Sequence, residues 1–155
     1  MSNITLTSPK SLICWLQLYL LYRRSFPRAE RKPFPTILKK YHAGMTDIWC
    51  ICRDDQFLGF ASTMNSPDLI MLDYLVIAPK YRGQGIGTAA FALAAEYCLD
   101  VMGLTEIYAG CYEGNIRSRR MLAACGFVPH PEGNCEEVHF LTGEPIVQYD
   151  FIKRK

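Results

Sequence analysis

The clearest feature of the chain is a change of hydrophobic period midway along it. Leu69–Ile77 is apolar at nearly every position and rich in Leu, Ile, Val and Tyr, as a strand buried on both faces requires. Gly83, Gly85 and Gly87 then crowd a short turn. From Thr88 the apolar residues Phe91, Ala94, Ala95, Cys98, Val101 and Met102 recur at helical spacing, which predicts an amphipathic helix. Gly103 is placed to end that helix in a left-handed conformation.

The flanking pattern is shorter in period. Residues 4–7 read as an edge strand. Ser8 followed by Pro9 predicts an N-cap and first helical position, opening a helix that runs to about Arg24 because Pro27 ends it. This helix is apolar on almost all faces, so part of it is expected to line a groove. Residues 26–35 form a proline-punctuated connection, and residues 36–42 a short second helix closed by Gly44. Two strands over 47–52 and 57–64, joined by the polar turn 53–56, predict a hairpin, and 65–68 turns the chain into the apolar strand. Beyond Gly103, residues 106–112 read as a strand. Asn115 caps a helix ending at Gly126, and 136–141 and 146–152 read as tail strands. The expected architecture is α/β, with one mixed, mostly antiparallel sheet of about seven strands and about four helices.

Composition narrows the setting. The chain has 155 residues, 50% of them hydrophobic, which suits one domain over residues 1–155 with a substantial core. A net charge of +2 does not imply nucleic acid or a membrane surface. The apolar run 11–22 is too short to span a bilayer and is followed by no small-residue cleavage site. Seven cysteines, an odd number without framework spacing, point to a reducing compartment. A soluble, cytoplasmic protein is the expectation.

A strand entering a glycine-rich turn and then a helix builds an anion site. The first N–H groups of a helix have no intrahelical partner, and its dipole places positive charge there. Phosphate or pyrophosphate is the natural guest. Two competing motifs fail on residues: a dinucleotide fingerprint starting at Gly83 needs glycine where Thr88 stands, and no Gly-Lys-Ser/Thr run exists for a P-loop. The remaining pattern, Arg82-x-x-Gly85-x-Gly87, resembles the acyl-CoA pyrophosphate loop of the GNAT acyltransferase superfamily. Asn115-x-x-Ser118 followed by Gly126-Phe127 is similar to that family's second signature. The two motifs span about a third of the chain.

The resemblance implies an acyl-CoA-dependent N-acetyltransferase that moves acetyl from acetyl-CoA to a primary amine by direct attack in a ternary complex. It implies that backbone N–H groups of Leu75, Val76 and Ile77 hold the pantetheine arm and polarise the thioester carbonyl. The backbone of Arg82, Gly83, Gln84, Gly85, Ile86, Gly87 and Thr88 would hold pyrophosphate. Asn115 would meet the pantetheine, with Ser118 near it, although asparagine is equally a favoured N-cap with no ligand. Arg117, Arg119 and Arg120 would approach the adenosine phosphate or form a solvated basic face. The implied partner is an amine acceptor, a small molecule or a peptide, with no nucleic acid or membrane. A homodimer is the assembly to test.

Attack by an amine requires a free lone pair, and an amine with a lysine-like pKa of about 10.4 is protonated at neutral pH. Asp73, a carboxylate inside an otherwise apolar strand, is the first candidate base; its alternative role is pairing with a buried arginine or backbone donors. Glu113 is the second candidate. One position departs from the family pattern: Leu122 stands where many members carry a tyrosine that protonates the leaving thiolate, so the general acid has no assigned residue. This departure also supports a second reading, a catalytically inactive acyl-CoA-binding module. A metal site over Cys125, His130, Cys135 and His139 is rejected because structural zinc ligands pair more closely. Glu132, Glu136 and Glu137 would favour a cationic acceptor, or would form a solvated acidic turn.

Overall fold

A computed structural model describes residues 4–26, 28, 31–66, 69–138 and 142–155. The chain divides into two compact units, Met1–Ala90 and Phe91–Lys155. The first holds β1 (Ile4–Thr7), α1 (Leu12–Ser25), α2 (Phe34–His42), β2 (Thr46–Arg53), β3 (Gln56–Ser66) and β4 (Leu69–Ile77). Its four strands pair antiparallel in sequence order. Asp54 and Asp55, both at positive φ, make the two-residue β2–β3 turn whose twist matches the strands.

Each face of this sheet has its own core. Tyr74 and Val76 pack with Phe60 and Ile48 beneath Leu18, Leu21 and Tyr22 of α1 and Ile37 of α2. Leu75 and Ile77 pack on the opposite side with Ile51, Leu58, Ile86 and Ala90. The last two lie on α3 (Ile86–Glu96), the helix that carries the chain into the second unit. Alternate residues of β4 thus serve two cores, which is why its sequence is a continuous apolar run rather than an alternating one.

The second unit contains β5 (Glu106–Tyr112), α4 (Ile116–Ala124), β6 (Val128–Pro129), β7 (Cys135–Val138) and β8 (Pro145–Arg154). β8 is the central strand, flanked by β5 along its length and by β6 and β7 in tandem on the other edge, all antiparallel. Ala95, Leu122, Cys125, Phe127 and Phe151 form its core.

Several boundaries differ from expectation. Helix α1 is capped by Ser11, whose hydroxyl accepts from the Cys14 N–H at 3.2 Å; Ser8 and Pro9 lie outside it. Helix α2 starts earlier than expected, at Phe34, with Pro35 in the first turn, where its missing N–H costs nothing. Helix α3 gives way to a π-turn over Tyr97–Val101 before Gly103. The strands number eight among the described residues, the extra one being the two-residue β6. The ends of the expected 65–68 turn and 136–141 strand, like Pro27, fall outside the described residues. Leu12, Ile13, Leu16 and Leu20 of α1 are exposed, so the apolar excess of that helix faces outward. No helix among the described residues is long and apolar enough to cross a membrane.

Leu58 is wholly inaccessible in the second of the two β4 cores. Leu58→Ala is expected to cost about 2–5 kcal/mol, measured as a lower denaturant midpoint at unchanged slope. A loss under about 1 kcal/mol would show that this core relaxes around the cavity.

Candidate active site

Strand β4 pairs with β3 on one side and with no strand on the other among the described residues. The Ala78 N–H donates to the Leu58 carbonyl at 2.8 Å, and this bond sets the alternation along the pair. In the register Phe60–Val76 and Ala61–Leu75, Val76 bonds across to β3, whereas Leu75 and Ile77 turn their N–H and C=O groups to the open edge. The carbonyl of Ile77 is indeed free to accept from Arg82 Nε at 2.9 Å. Of the three expected donors, Leu75 and Ile77 are therefore the two whose N–H groups turn to the open edge, and Val76 is committed to the sheet.

The turn after β4 is held by short-range bonds. Pro79–Tyr81 makes a single helical turn, the Arg82 N–H donates to Pro79, and Gln84 Nε2 reaches the Lys80 carbonyl at 3.4 Å. Gly83 and Gly85 take φ of 77° and 74°, which L side chains rarely adopt. A Cβ on either would meet no atom within 4 Å, so the space above the loop is open. The first i→i+4 bond of α3 runs from Ala89 to the Gly85 carbonyl at 2.9 Å. The N–H groups of Ile86 and Gly87 precede it and belong to the orphan donors of the helix start. Open space, glycine backbone and a helix N-terminus in one place fit a pyrophosphate group.

Asp73 sits at an irregularity. Ser62 pairs with Tyr74 and Thr63 with Leu72, so Asp73 is the extra residue of a β-bulge. Strict alternation would put Asp73 and Tyr74 on opposite faces. The bulge instead brings both to one ammonium: Lys32 Nζ lies 2.8 and 2.7 Å from the two Asp73 oxygens and 5.6 Å from the Tyr74 ring centroid. Lys32 also contacts Met64 Sδ at 3.3 Å, and its carbonyl accepts from the Tyr22 hydroxyl at 3.1 Å. Burial and the Tyr74 hydroxyl 3.3 Å away push the Tyr22 phenol far above its ordinary value, so it stays neutral. The partner of Asp73 is thus a lysine from the proline-punctuated connection. No pattern in Arg31-Lys32-Pro33 could have matched it to a strand 41 residues on.

The remaining expected site residues lie in the second unit. Glu113 is exposed just beyond β5, its N–H bound to Val147 at 2.9 Å. Asn115 caps α4, its side-chain oxygen accepting from the Ser118 N–H at 3.1 Å. Leu122 is buried at 2% exposure among Cys125, Phe127 and Phe151. Arg119 stacks over Tyr149 at 5.6 Å, while Arg117 and Arg120 are exposed. Cys125 is buried, His130 stacks against Tyr108, and exposed Cys135 points at Glu137. No group of three metal-ligating residues forms among the described residues, and His139 lies outside them.

Comparison with known proteins bears on both motifs. The chain matches the model of the Acetyltransferase (GNAT) family over residues 15–127. In structure it is similar to a chimera of spermidine N-acetyltransferase SpeG from Vibrio cholerae and hSSAT (TM-score 0.75, 17% identity, covering 99% of this chain and 96% of that one). It is also similar to Vibrio cholerae spermidine N-acetyltransferase in complex with CoA and spermine (TM-score 0.73, 16% identity, 97% and 95% covered). A third likeness is to the microcin C7 self-immunity acetyltransferase MccE in complex with acetyl-CoA and AMP (TM-score 0.71, 19% identity, 99% and 93% covered). At these identities the structures speak for the fold, whereas the family match spans well over half of the chain and both motifs: the protein belongs to the GNAT family of acetyl-CoA-dependent acetyltransferases.

Proposed function

We propose that the protein transfers acetyl from acetyl-CoA to a primary amine by direct attack in a ternary complex. The observation that carries this reading is the open edge of β4 running into a glycine loop and the start of α3. Acetyl-CoA, when bound, supplies an acyl group already activated as a thioester. The chain's part is then mainly binding and positioning. The N–H groups of Leu75 and Ile77 would hold the pantetheine arm, and the backbone from Arg82 to Thr88 the pyrophosphate. Asn115 and Ser118 keep the pantetheine role that the resemblance implies, beside the capping bond they already make. The odd cysteine count and the donor both suit the cytoplasm.

For the proton of the amine, Asp73 is our first candidate and Glu113 the second. Asp73 accepts from Lys32 with both oxygens, so an acceptor amine would have to share or displace that ammonium. A second reading follows from the same bonds: Asp73 is a positioning residue that ties the α1–α2 connection to the β4 bulge. Spermine accompanies CoA in one structural neighbour, which supports an amine acceptor here without naming it. Glu132, Glu136 and Glu137 remain our candidates for attracting its ammonium group during approach.

Three outcomes test this reading. Acetyl-CoA at a hundredfold excess over Kd should stabilise the protein by about 2.7 kcal/mol, and Gly85→Glu should abolish the rise in Tm. Gly85→Ala controls for the cost of a side chain at positive φ. A rise that persists in Gly85→Glu places the phosphates elsewhere.

Asp73→Asn should lower turnover roughly 10²-fold with acetyl-CoA binding retained. If Asp73 is the base, its loss removes a limb of the pH–rate profile. If it only positions, the rate falls with the profile unchanged in shape, Lys32→Met reproduces the fall, and Glu113→Gln becomes the decisive variant for the base.

With Leu122 in a core, no tyrosine is expected to be indispensable. Tyr74→Phe, Tyr112→Phe and Tyr149→Phe should each keep turnover within about 10²-fold at saturating donor. A larger loss in any one, with donor binding intact, identifies the acid. Binding without thiol release on a broad amine panel would instead mark an inactive binding module.

A further inference from the structure

An open cavity of about 570 Å³ lies against α1 and α2, and its lining includes Arg23, Arg28, Arg31, Lys32, Tyr22 and Phe34. Four cations share this space, and among the described residues only one carboxylate answers them, Asp73, which is paired with Lys32. Arg23, Arg28 and Arg31 have no acidic partner among the described residues. Residues 23–32 hold five cations and the single carboxylate Glu30, so the segment stays basic however Glu30 is placed.

Two of the arginines are held in place by bonds that leave their charge unanswered. Arg31 donates through one terminal nitrogen to the Arg23 carbonyl at 3.3 Å, and its Nε is buried without a hydrogen-bond partner among the described residues. Arg23 donates to the Tyr19 hydroxyl at 3.4 Å and lies 5.7 Å from that ring's centroid. Gathering like charges in one cavity costs stability. Guanidinium groups present planar forks that match carboxylate and phosphate oxygens. The cavity is not remote from the chemistry, since Lys32 joins it to Asp73, two residues before Leu75.

We propose that this cavity binds an anionic group, carboxylate or phosphate, carried by the acceptor amine, with Arg23, Arg28 and Arg31 as its ligands. The acceptor is then an amine whose far end is negative, of the amino-acid or amino-phosphate kind, and not a polyamine. This rests on the acyltransferase reading for the identity of the amine as acceptor, but anion binding by the cavity stands apart from turnover.

The experiment therefore has two arms. In the first, thiol release from acetyl-CoA is followed with 4-aminobutyrate, 3-aminopropyl phosphate, 4-aminobutanamide and 1,4-diaminobutane. The anionic pair should show the higher kcat/KM, falling as salt rises, and the better of the two names the group. Arg28→Gln with Arg31→Gln should cut the preference for anionic over dicationic acceptors by about tenfold or more, the loss expected for one hydrogen bond to a charged group. Preference for the diamine, or an equal loss on all four amines, overturns the proposal.

In the second arm, inorganic phosphate and butyrate are titrated against Tm at constant ionic strength, once with saturating acetyl-CoA and once without it. Stabilisation in the wild type that is lost in the double variant supports the cavity as an anion site even if no amine is acetylated, in which case the transferase reading alone fails. No stabilisation by either anion, or stabilisation seen only when acetyl-CoA is absent, overturns the proposal; the latter would assign the cavity to the donor's phosphates.

Discussion

An edge strand leaves half of its backbone donors and acceptors without a partner in its sheet, and a protein must cover, blunt or use them. Here the edge is β4, apolar on both faces and therefore fixed in depth by two cores, one under α1 and α2 and one under α3. Its unpaired groups lie along a rigid line. Leu75 and Ile77 contribute two donors at one spacing of the pleat, and Arg82 takes the carbonyl of Ile77 and so ties the loop to the end of the strand. Gly59 on β3 sits where a Cβ would strike the Val76 carbonyl, so the close approach of the two strands itself depends on a missing side chain. The glycine loop inherits its position from these contacts.

Much of this was legible in residue order. The β4 boundaries, the glycine turn and the β5 boundaries coincide with expectation because period, length and glycine all point the same way there. The Asn115 cap is likewise local: an oxygen three residues from the N–H it satisfies. Ser8-Pro9 misled for the same local reason, since Ser11 offers an equal cap three residues on and the chain used that one. What the sequence did not reveal is non-local. The bulge at Asp73 is a property of pairing between β3 and β4, and the Lys32 contact joins residues 41 positions apart in the chain. The basic cavity is invisible for the same reason, as its arginines read in order as ordinary surface charge.

Leu122 shows how a missing group constrains chemistry. Its side chain completes a core with Ala95, Cys125, Phe127 and Phe151, and it brings no hydroxyl to this position. The position is therefore settled by packing, and proton delivery to the departing thiol falls to other groups. That is tolerable because a thiolate is a stable leaving group: its conjugate acid, judged by cysteine, has a pKa near 8.5. General-acid help contributes least where the leaving group needs it least.

The ion pair between Lys32 and Asp73 is better understood by what it connects than by what it stabilises. Partly exposed pairs contribute only about 0–1 kcal/mol, and Lys32, just before Pro33, gives up side-chain freedom to reach across. The return is geometric. One ammonium touches the bulge of β4, the face of Tyr74 and the sulfur of Met64, while its own carbonyl holds the neutral hydroxyl of Tyr22 on α1. Helix, connection and strand are thereby fixed at one point, next to the unpaired edge.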